Sequence, residues 1–280
     1  MIKVTGKDIP ARLLEIPEPP KQLYIKGELP EFSENKYLTV VGSRHFSNYG
    51  KFVCEKLISG LRGYPIVIVS GMAIGMDTIA HRSALSNNLK TVAVPGSGLD
   101  KSVLYPRTNV RLAEEIVSSG GALLSEFEPK ETAKIYSFPR RNRIEVGLAD
   151  AILVIEAGQK SGTLITARLS VDYNRTLLVV PGPIFSPHHE GSNQFLRLGA
   201  TPVLSSEDIL DELGFDISKK NFKLELSDSE QIIFKLISEP RPRDAIIKLS
   251  GLPVQECNIL LMQMEIKGLI KEMMGEIRIA

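Results

Sequence analysis

The chain has 280 residues, 43% of them hydrophobic and 24% charged, enough apolar side chain for one large domain and a small one. Its 34 basic and 33 acidic residues leave a net charge of +1, so a nucleic-acid partner would require the cations to be gathered in one place. Two cysteines far apart, Cys54 and Cys257, argue against a disulfide framework or a zinc site. They fit a reducing, cytoplasmic setting. No apolar run approaches the ~20 residues of a membrane helix, and the start, MIKVTGKDIPARL, has no signal-peptide core, so no membrane partner is expected.

Residues 1–36 contain Pro17, Pro19, Pro20 and Pro30 and little periodic apolar pattern, which predicts an extended lead-in wrapping the next domain. From Tyr37 onward short apolar runs alternate with helical stretches. The runs are Leu38–Val41, Ile66–Val69, Thr91–Val94, Ala122–Leu124, Ala151–Ile155 and Leu177–Val180. Each is short, partly β-branched and nearly free of polar residues, as in strands covered on both faces. The helical stretches are Tyr49–Leu61, Asp77–Asn87, Asn109–Ser118, Arg141–Ala149, Ser161–Tyr173 and Ser206–Leu213. This alternation predicts an α/β domain over 37–215, a doubly wound, mostly parallel sheet. After the polar connector DISKKNFKLE, residues 226–280 show helices over Ser227–Ser238, Arg243–Leu249 and Val254–Ile270 and an extended tail at Glu276–Ala280. That order suits a winged helix, and equally a three-helix cap without a nucleic-acid role. Glu256, Glu265 and Glu272 against Lys267 and Lys271 give its long helix no basic face.

In an open parallel sheet ligands bind beyond the carboxyl ends of the strands, and glycines cluster there. Gly42, Ser43 and Arg44 follow the first run, Gly71 and Gly75 the second, Gly96 and Gly98 the third. Gly158, Ser161, Gly162 and Thr163 follow the fifth, and Pro181 and Gly182 the sixth. Such turns let a backbone approach an anion and present helix N–H groups to it. One glycine turn is ordinary strand-to-helix geometry; several on one edge, with Arg44 and three hydroxyls, favour a binding rim. The densest segment is KIYSFPRRNRIEVGLAD, residues 134–150. Lys134, Arg140, Arg141 and Arg143 fall within ten residues without an acid, interleaved with Tyr136 and Phe138. Guanidinium groups grip phosphates and rings stack on bases, so single-stranded nucleic acid is the ligand class this pattern suits. The segment is expected to precede a helix at the glycine rim.

Several motifs, in order, resemble those of the DprA/Smf family of DNA-processing proteins: SGMAIGMDTIAH, GALLSEFEP, FPRRNRIEVGLAD, EAGQKSGTLITA and VVPGP. The lead-in IPARLLEIPEPPKQLYIKGELP and the segment GSNQFLRLGATPVLSSEDIL resemble the family too, so the similarity spans about residues 9–212. Residues 226–280 resemble its small winged-helix domain less closely. The resemblance implies a Rossmann-like fold, a homodimer that binds single-stranded DNA, and assistance in loading RecA recombinase during recombination and, in competent bacteria, natural transformation. It implies no enzyme activity, catalytic residue, cofactor or metal. It places Gly42, Ser43, Arg44, Arg140, Arg141, Asn142 and Arg143 in the DNA pocket. The chain departs from the family pattern at Ile74, where arginine is usual, at Glu145 and Asp150, and in the turn DKSVLYP after Gly98. The family's frequent amino-terminal helical domain is also expected to be missing.

The nearest rival is a nucleotide-cleaving phosphoribohydrolase of the lysine-decarboxylase-like (LOG) group, whose turn reads Pro-Gly-Gly-x-Gly-Thr-x-x-Glu. Gly162 and Thr163 match it, but Thr166 stands where the glutamate would be, removing the acid–base group. Asp77 and His81 share a helix face, with Asp77 expected to cap or pair near the helix start. His188, His189 and Glu190 make a poor metal set. A dinucleotide-dependent oxidoreductase lacks its G-x-G-x-x-G turn here.

Overall fold

The computed structural model describes residues 1–159, 161–216, 227–237, 239–266, 269–273 and 275–279. Lys160, most of the polar connector, Ser238, Lys267, Gly268, Met274 and Ala280 lie outside the described residues. The chain forms two compact units, Met1–Ile217 and Ser218–Ala280.

The first unit is built on nine strands: β1 (Ile2–Thr5), β2 (Gln22–Gly27), β3 (Lys36–Val41), β4 (Ile66–Ser70), β5 (Lys90–Ala93), β6 (Ala122–Ser125), β7 (Ala151–Val154), β8 (Thr176–Val179) and β9 (Thr201–Pro202). They lie in the order β1-β2-β6-β5-β4-β3-β7-β8-β9, parallel throughout except that β1 and β2 join antiparallel at one edge. Six of the nine coincide with the apolar runs to within one or two residues. The strands from β4 to β7 are wholly buried apart from Lys90. Alternation within each strand then sends side chains to two cores. Leu38, Val40, Ile66 and Ile68 pack with Cys54, Leu57 and Ala80. Tyr37, Val67, Val69 and Val92 pack with Leu13, Ile144 and Leu148. Helices α2 (Asn48–Gly60), α3 (Met76–Ser86), α4 (Val110–Ser118) and α8 (Ser206–Glu212) cover one face. Helices α1 (Ala11–Leu14), α5 (Ser137–Leu148), α6 (Thr163–Asp172) and α7 (Glu190–Arg197) cover the other.

Three features differ from the sequence expectation. The lead-in is no mere wrapping: two of its segments are strands of the sheet, and Ile9, Leu13, Ile16 and Leu23 belong to the core. Its prolines end helices but leave the alternating stretch Gln22–Gly27 free to pair. Polar bonds fasten it as well. Arg12 donates to Asp150 at 2.9 Å, whose other oxygen accepts from the Tyr37 amide at 2.7 Å, and the Tyr37 hydroxyl donates to the Pro30 carbonyl. Secondly, α5 starts at Ser137 and not at Arg141, so that Lys134 and Tyr136 precede the helix while Arg140 lies within it. Thirdly, α7 lies in a stretch where the sequence pattern predicts no helix.

The second unit holds α9 (Asp228–Leu236), α10 (Arg243–Ser250), α11 (Val254–Ile266) and a small sheet of β10 (Arg241–Pro242), β12 (Glu276–Ile279) and β11 (Ile270–Met273), in that order. Ile270 therefore opens a strand and does not end the long helix. The hairpin turn takes Gly275 at φ +78°. Ile233, Ile246, Cys257, Leu261 and Ile277 make its core. Three helices followed by a hairpin are a winged helix.

Leu13 has no exposed surface. Leu13→Ala should therefore cost about 2–5 kcal/mol, read as a lower urea midpoint. A midpoint equal to the parent's would show that the lead-in is not part of the core.

Candidate nucleic-acid interface

Chain order along the sheet reverses between β3 and β7. From β3 the chain proceeds outward through β4, β5 and β6; from β7 it proceeds the other way through β8 and β9. Neighbouring loops diverge at such a point and leave a crevice at the strands' carboxyl ends. A crevice of about 580 Å³ opens there. It is lined by the loop after β3 (Gly42, Ser43, Arg44, His45), by Ala73 and Asp77, and by Phe138, Pro139, Arg141, Asn142 and Glu145 of α5. Gly158, Ser161, Gly162, Thr163 and Thr166 line it after β7, and Pro187 and His188 after β8.

The structure brings ten of the fourteen anticipated residues to this crevice: Gly42, Ser43, Arg44, Phe138, Arg141, Asn142, Gly158, Ser161, Gly162 and Thr163. Gly71, Gly75, Arg140 and Arg143 are not among its lining residues. The two glycines act from behind. A β-carbon on Gly71 would collide with the Arg141 guanidinium, and one on Gly75 would collide with the Arg44 backbone. Gly75 also sits at φ +88°, which L side chains rarely adopt.

Helical periodicity divides the arginines. Phe138, Arg141, Asn142 and Glu145 recur at the i, i+3, i+4 and i+7 spacing of one helix face, while Arg140 and Arg143 turn another way. Arg143 is buried, donating to Glu126 at 2.5 Å and to the Glu18 carbonyl. Arg140 is exposed, its guanidinium 3.6 Å from Glu126 and 5.9 Å from the centre of the Phe127 ring. Arg141 is only 7% exposed. It donates to Glu145 at 2.5 Å and to the Val94 carbonyl at 3.0 Å, and lies 3.7 Å from Asp77. All three arginines expected at the pocket thus meet internal carboxylates, Arg141 at Glu145 and Asp77, Arg143 and the exposed Arg140 at Glu126, and Arg141 alone of the three lines the crevice. Arg44 differs. It is exposed, has no acidic partner within salt-bridge distance among the described residues, and lies 5.4 Å over the Phe138 ring.

Buried acids set the electrostatics of the crevice wall. Asp77 accepts from the Ala73 amide at 3.1 Å, which occupies the start of α3. Burial raises its pKa against the pull of Arg141. Burial also pushes Glu145 up to about 8, with Arg141 opposing and Asp77 reinforcing the shift. Both shifts run upward because burial disfavours the two charges and Arg141, joined at Asp77 by Arg44, offsets only part of that cost. At the start of α2, Ser47 donates to the buried Glu156 through both its amide and its hydroxyl, and His189 Nε2 lies 3.4 Å from Glu156. Burial opposes the Glu156 charge, but His189 and Ser47 together hold its pKa below the usual value. By contrast α6 starts with no acidic residue in its first turn. Its positive dipole end meets no carboxylate of its own.

His81 is fully buried and 2.7 Å from the Thr91 hydroxyl, and burial lowers its pKa to about 3. It is a neutral core imidazole and no base for Asp77. Among the described residues no cluster of three or more His, Cys, Asp or Glu could hold a metal. Sequence reading missed the crevice roles of His45, Ala73 and Pro187. Nothing in their types marks them; the loops carrying them are placed by the sheet.

Glu145 binds its proton more tightly folded than at its ordinary 4.5. The folded state thus holds more protons than the unfolded one between about 4.5 and 8, and stability falls as pH rises through that window. Urea midpoints at pH 6 and 8.5 should show this fall in the parent and a flatter profile in Glu145→Gln. Parallel profiles would mean that the carboxyl is ionised throughout.

Comparison with known proteins agrees with this arrangement. The family model described as DNA recombination-mediator protein A matches residues 1–214, and that of the DprA winged helix domain matches residues 223–276. Protein Smf of Escherichia coli (strain K12) is 35% identical, over 98% of this chain and 76% of its own. The structure of DNA processing protein A from Streptococcus pneumoniae superposes with a TM-score of 0.70 at 38% identity, over 77% of this chain and 75% of that one. That of DNA processing protein A from Helicobacter pylori, described for its single-stranded DNA binding mode, gives 0.67 at 30% identity, over 75% and 95%. With a mostly parallel nine-stranded sheet, a switch-point crevice and a winged helix all on one chain, the protein belongs to the DprA/Smf family of DNA recombination mediators.

Proposed function

We propose that this chain binds single-stranded DNA along the switch-point crevice, as a cytoplasmic homodimer, and performs no chemistry on it. On this reading it protects single strands during recombination, including the uptake of DNA in competent cells, and assists the loading of RecA recombinase. One observation supports it above others. Arg44, with no carboxylate within salt-bridge distance among the described residues, lies over the Phe138 ring at the crevice. A guanidinium for phosphate beside a ring for a base is the pairing that a sequence-tolerant binder of single strands uses. Gly42, Ser43, Gly158, Ser161, Gly162 and Thr163 offer backbone and hydroxyl groups around it, and the start of α6 adds a positive dipole end. Asn142 supplies an amide on the same wall. Arg140 is a peripheral cation. Arg141 and Arg143 support the wall and do not grip the strand. The relatives' description as recombination mediators, and the single-strand binding described for the Helicobacter pylori protein, point the same way.

A phosphoribohydrolase of the LOG type is not favoured. Thr166 is buried at the crevice where that enzyme's glutamate would stand, and the carboxylates nearby, Asp77 and Glu145, face Arg141.

Fluorescence anisotropy with labelled oligo-dT at two salt concentrations tests the proposal, alongside an assay for base release from nucleoside monophosphates. Binding should weaken with salt, and base release should be absent. Arg44→Glu should abolish most of the affinity and flatten the log–log salt slope by about 0.7 for each phosphate it no longer neutralises. Arg140→Glu should weaken binding less. Parent-like binding by Arg44→Glu, or steady base release by the parent, would overturn the assignment.

A further inference from the structure

Beside the crevice lies a small recess walled by Arg44, Gly71, Ala73, Ile74, Tyr105, Pro106 and Phe138. Its two outer walls are large apolar side chains left in water, Ile74 at 49% and Tyr105 at 47% exposure. Single exposed apolar residues are ordinary; two facing one recess, with a half-buried ring between them, are not. The Tyr105 and Phe138 centroids are 5.7 Å apart with the planes inclined at 57°, so the rings are not stacked face to face; Arg44 lies over Phe138, and Tyr105 is the more exposed ring. Arg44 touches both spaces, since it lines the crevice and this recess alike.

Tyr105 is also held in place. Its amide donates to Ser97 Oγ at 3.3 Å, and the Ser97 carbonyl accepts from Ser125 at the end of β6 at 2.7 Å. The loop before it is tied by Gly98 N–H to the Glu131 carbonyl at 2.8 Å and by Asp100 N–H to the Pro129 carbonyl at 2.9 Å. Arg107, just beyond, donates to the carbonyls of Lys101 and Ser102. A ring presented on a pinned loop loses little conformational freedom when a ligand covers it.

From these facts, and resting on the single-strand reading above, we propose that Tyr105 and Ile74 form a base-stacking slot. A nucleotide whose phosphate is gripped by Arg44 turns its base out of the crevice. The base lies on the exposed ring of Tyr105, against Ile74, with the edge of Phe138 beneath. The walls offer apolar and aromatic surface with few polar side chains, so the slot takes any base and reads no sequence. The turn DKSVLYP thereby contributes to binding, and Ile74 supplies apolar surface where a cation would supply charge.

Stacking and phosphate binding can be measured separately. Labelled oligo-dT and an abasic oligomer of the same length carry the same phosphates, but only the first has bases. Tyr105→Ala should weaken oligo-dT binding roughly five- to a hundredfold. It should leave abasic binding and the salt slope unchanged, with thermal unfolding at the parent's midpoint. Tyr105→Phe should bind like the parent. Oligo-dT affinity unaltered by Tyr105→Ala would overturn the slot, while loss of binding in Arg44→Glu would still uphold the crevice. Equal weakening on both oligomers would also overturn it, since the ring would then act by shaping the loop. No binding of either oligomer by the parent would sink the single-strand reading itself.

Discussion

Everything at the crevice depends on where one guanidinium is lodged. Arg141 comes from α5, yet its bonds reach the end of β5 through Val94, the start of α3 through Asp77 and its own helix through Glu145. Nη1 donates to the Val94 carbonyl and to Glu145, and Nη2 lies 3.7 Å from Asp77, so these contacts of a buried charge tie three elements together. Gly71 has no side chain because that guanidinium occupies the space one would take. The crevice wall is therefore held by a polar junction as well as by apolar packing, and the loops it displays are set before any ligand arrives. Removing one partner would leave a buried charge uncompensated, a far larger disturbance than losing a surface ion pair.

This changes what a basic run means. Four cations in ten residues read as an electrostatic surface when viewed along the chain. Lys134 stays ahead of the helix beside Glu131; wound at 100° per residue, the three arginines then place one in the crevice wall and two at Glu126, one of these buried and one exposed. The cation best placed for a phosphate is Arg44, which sits in a separate loop and depends on Gly75 for its approach. Charge that reaches a ligand is what remains after a protein has neutralised itself.

The sheet was legible because fully covered strands carry an unmistakable run of β-branched and aliphatic residues, and Ile66–Ser70 shows it in purest form. Most of the crevice was legible too, since the end of a parallel strand has to turn and glycines mark the turn. Partners distant in the chain were not. Nothing near Arg141 announces Asp77, 64 positions earlier, and nothing near Glu156 announces Ser47 or His189. The lead-in misled through its prolines, which end helices but place no bar on the strand between them. The helix over 190–197 is short and amphipathic, and α7 is anchored as Phe195 packs on β8 and Gly191 donates to the Ala157 carbonyl.

The antiparallel pair at the amino end has a consequence for the sheet as a whole. A twisted sheet ends in two rows of unsatisfied amide and carbonyl groups, each a template for a neighbouring molecule. One row here belongs to β9, two residues long and ending in proline, too short to recruit a partner. The other would belong to β6, were β2 not paired to it and β1 placed outermost with Lys3 and exposed side chains. The opening stretch of the chain thus works as a selvedge: it closes off the weave, and a molecule deprived of it would offer β6 to its own kind.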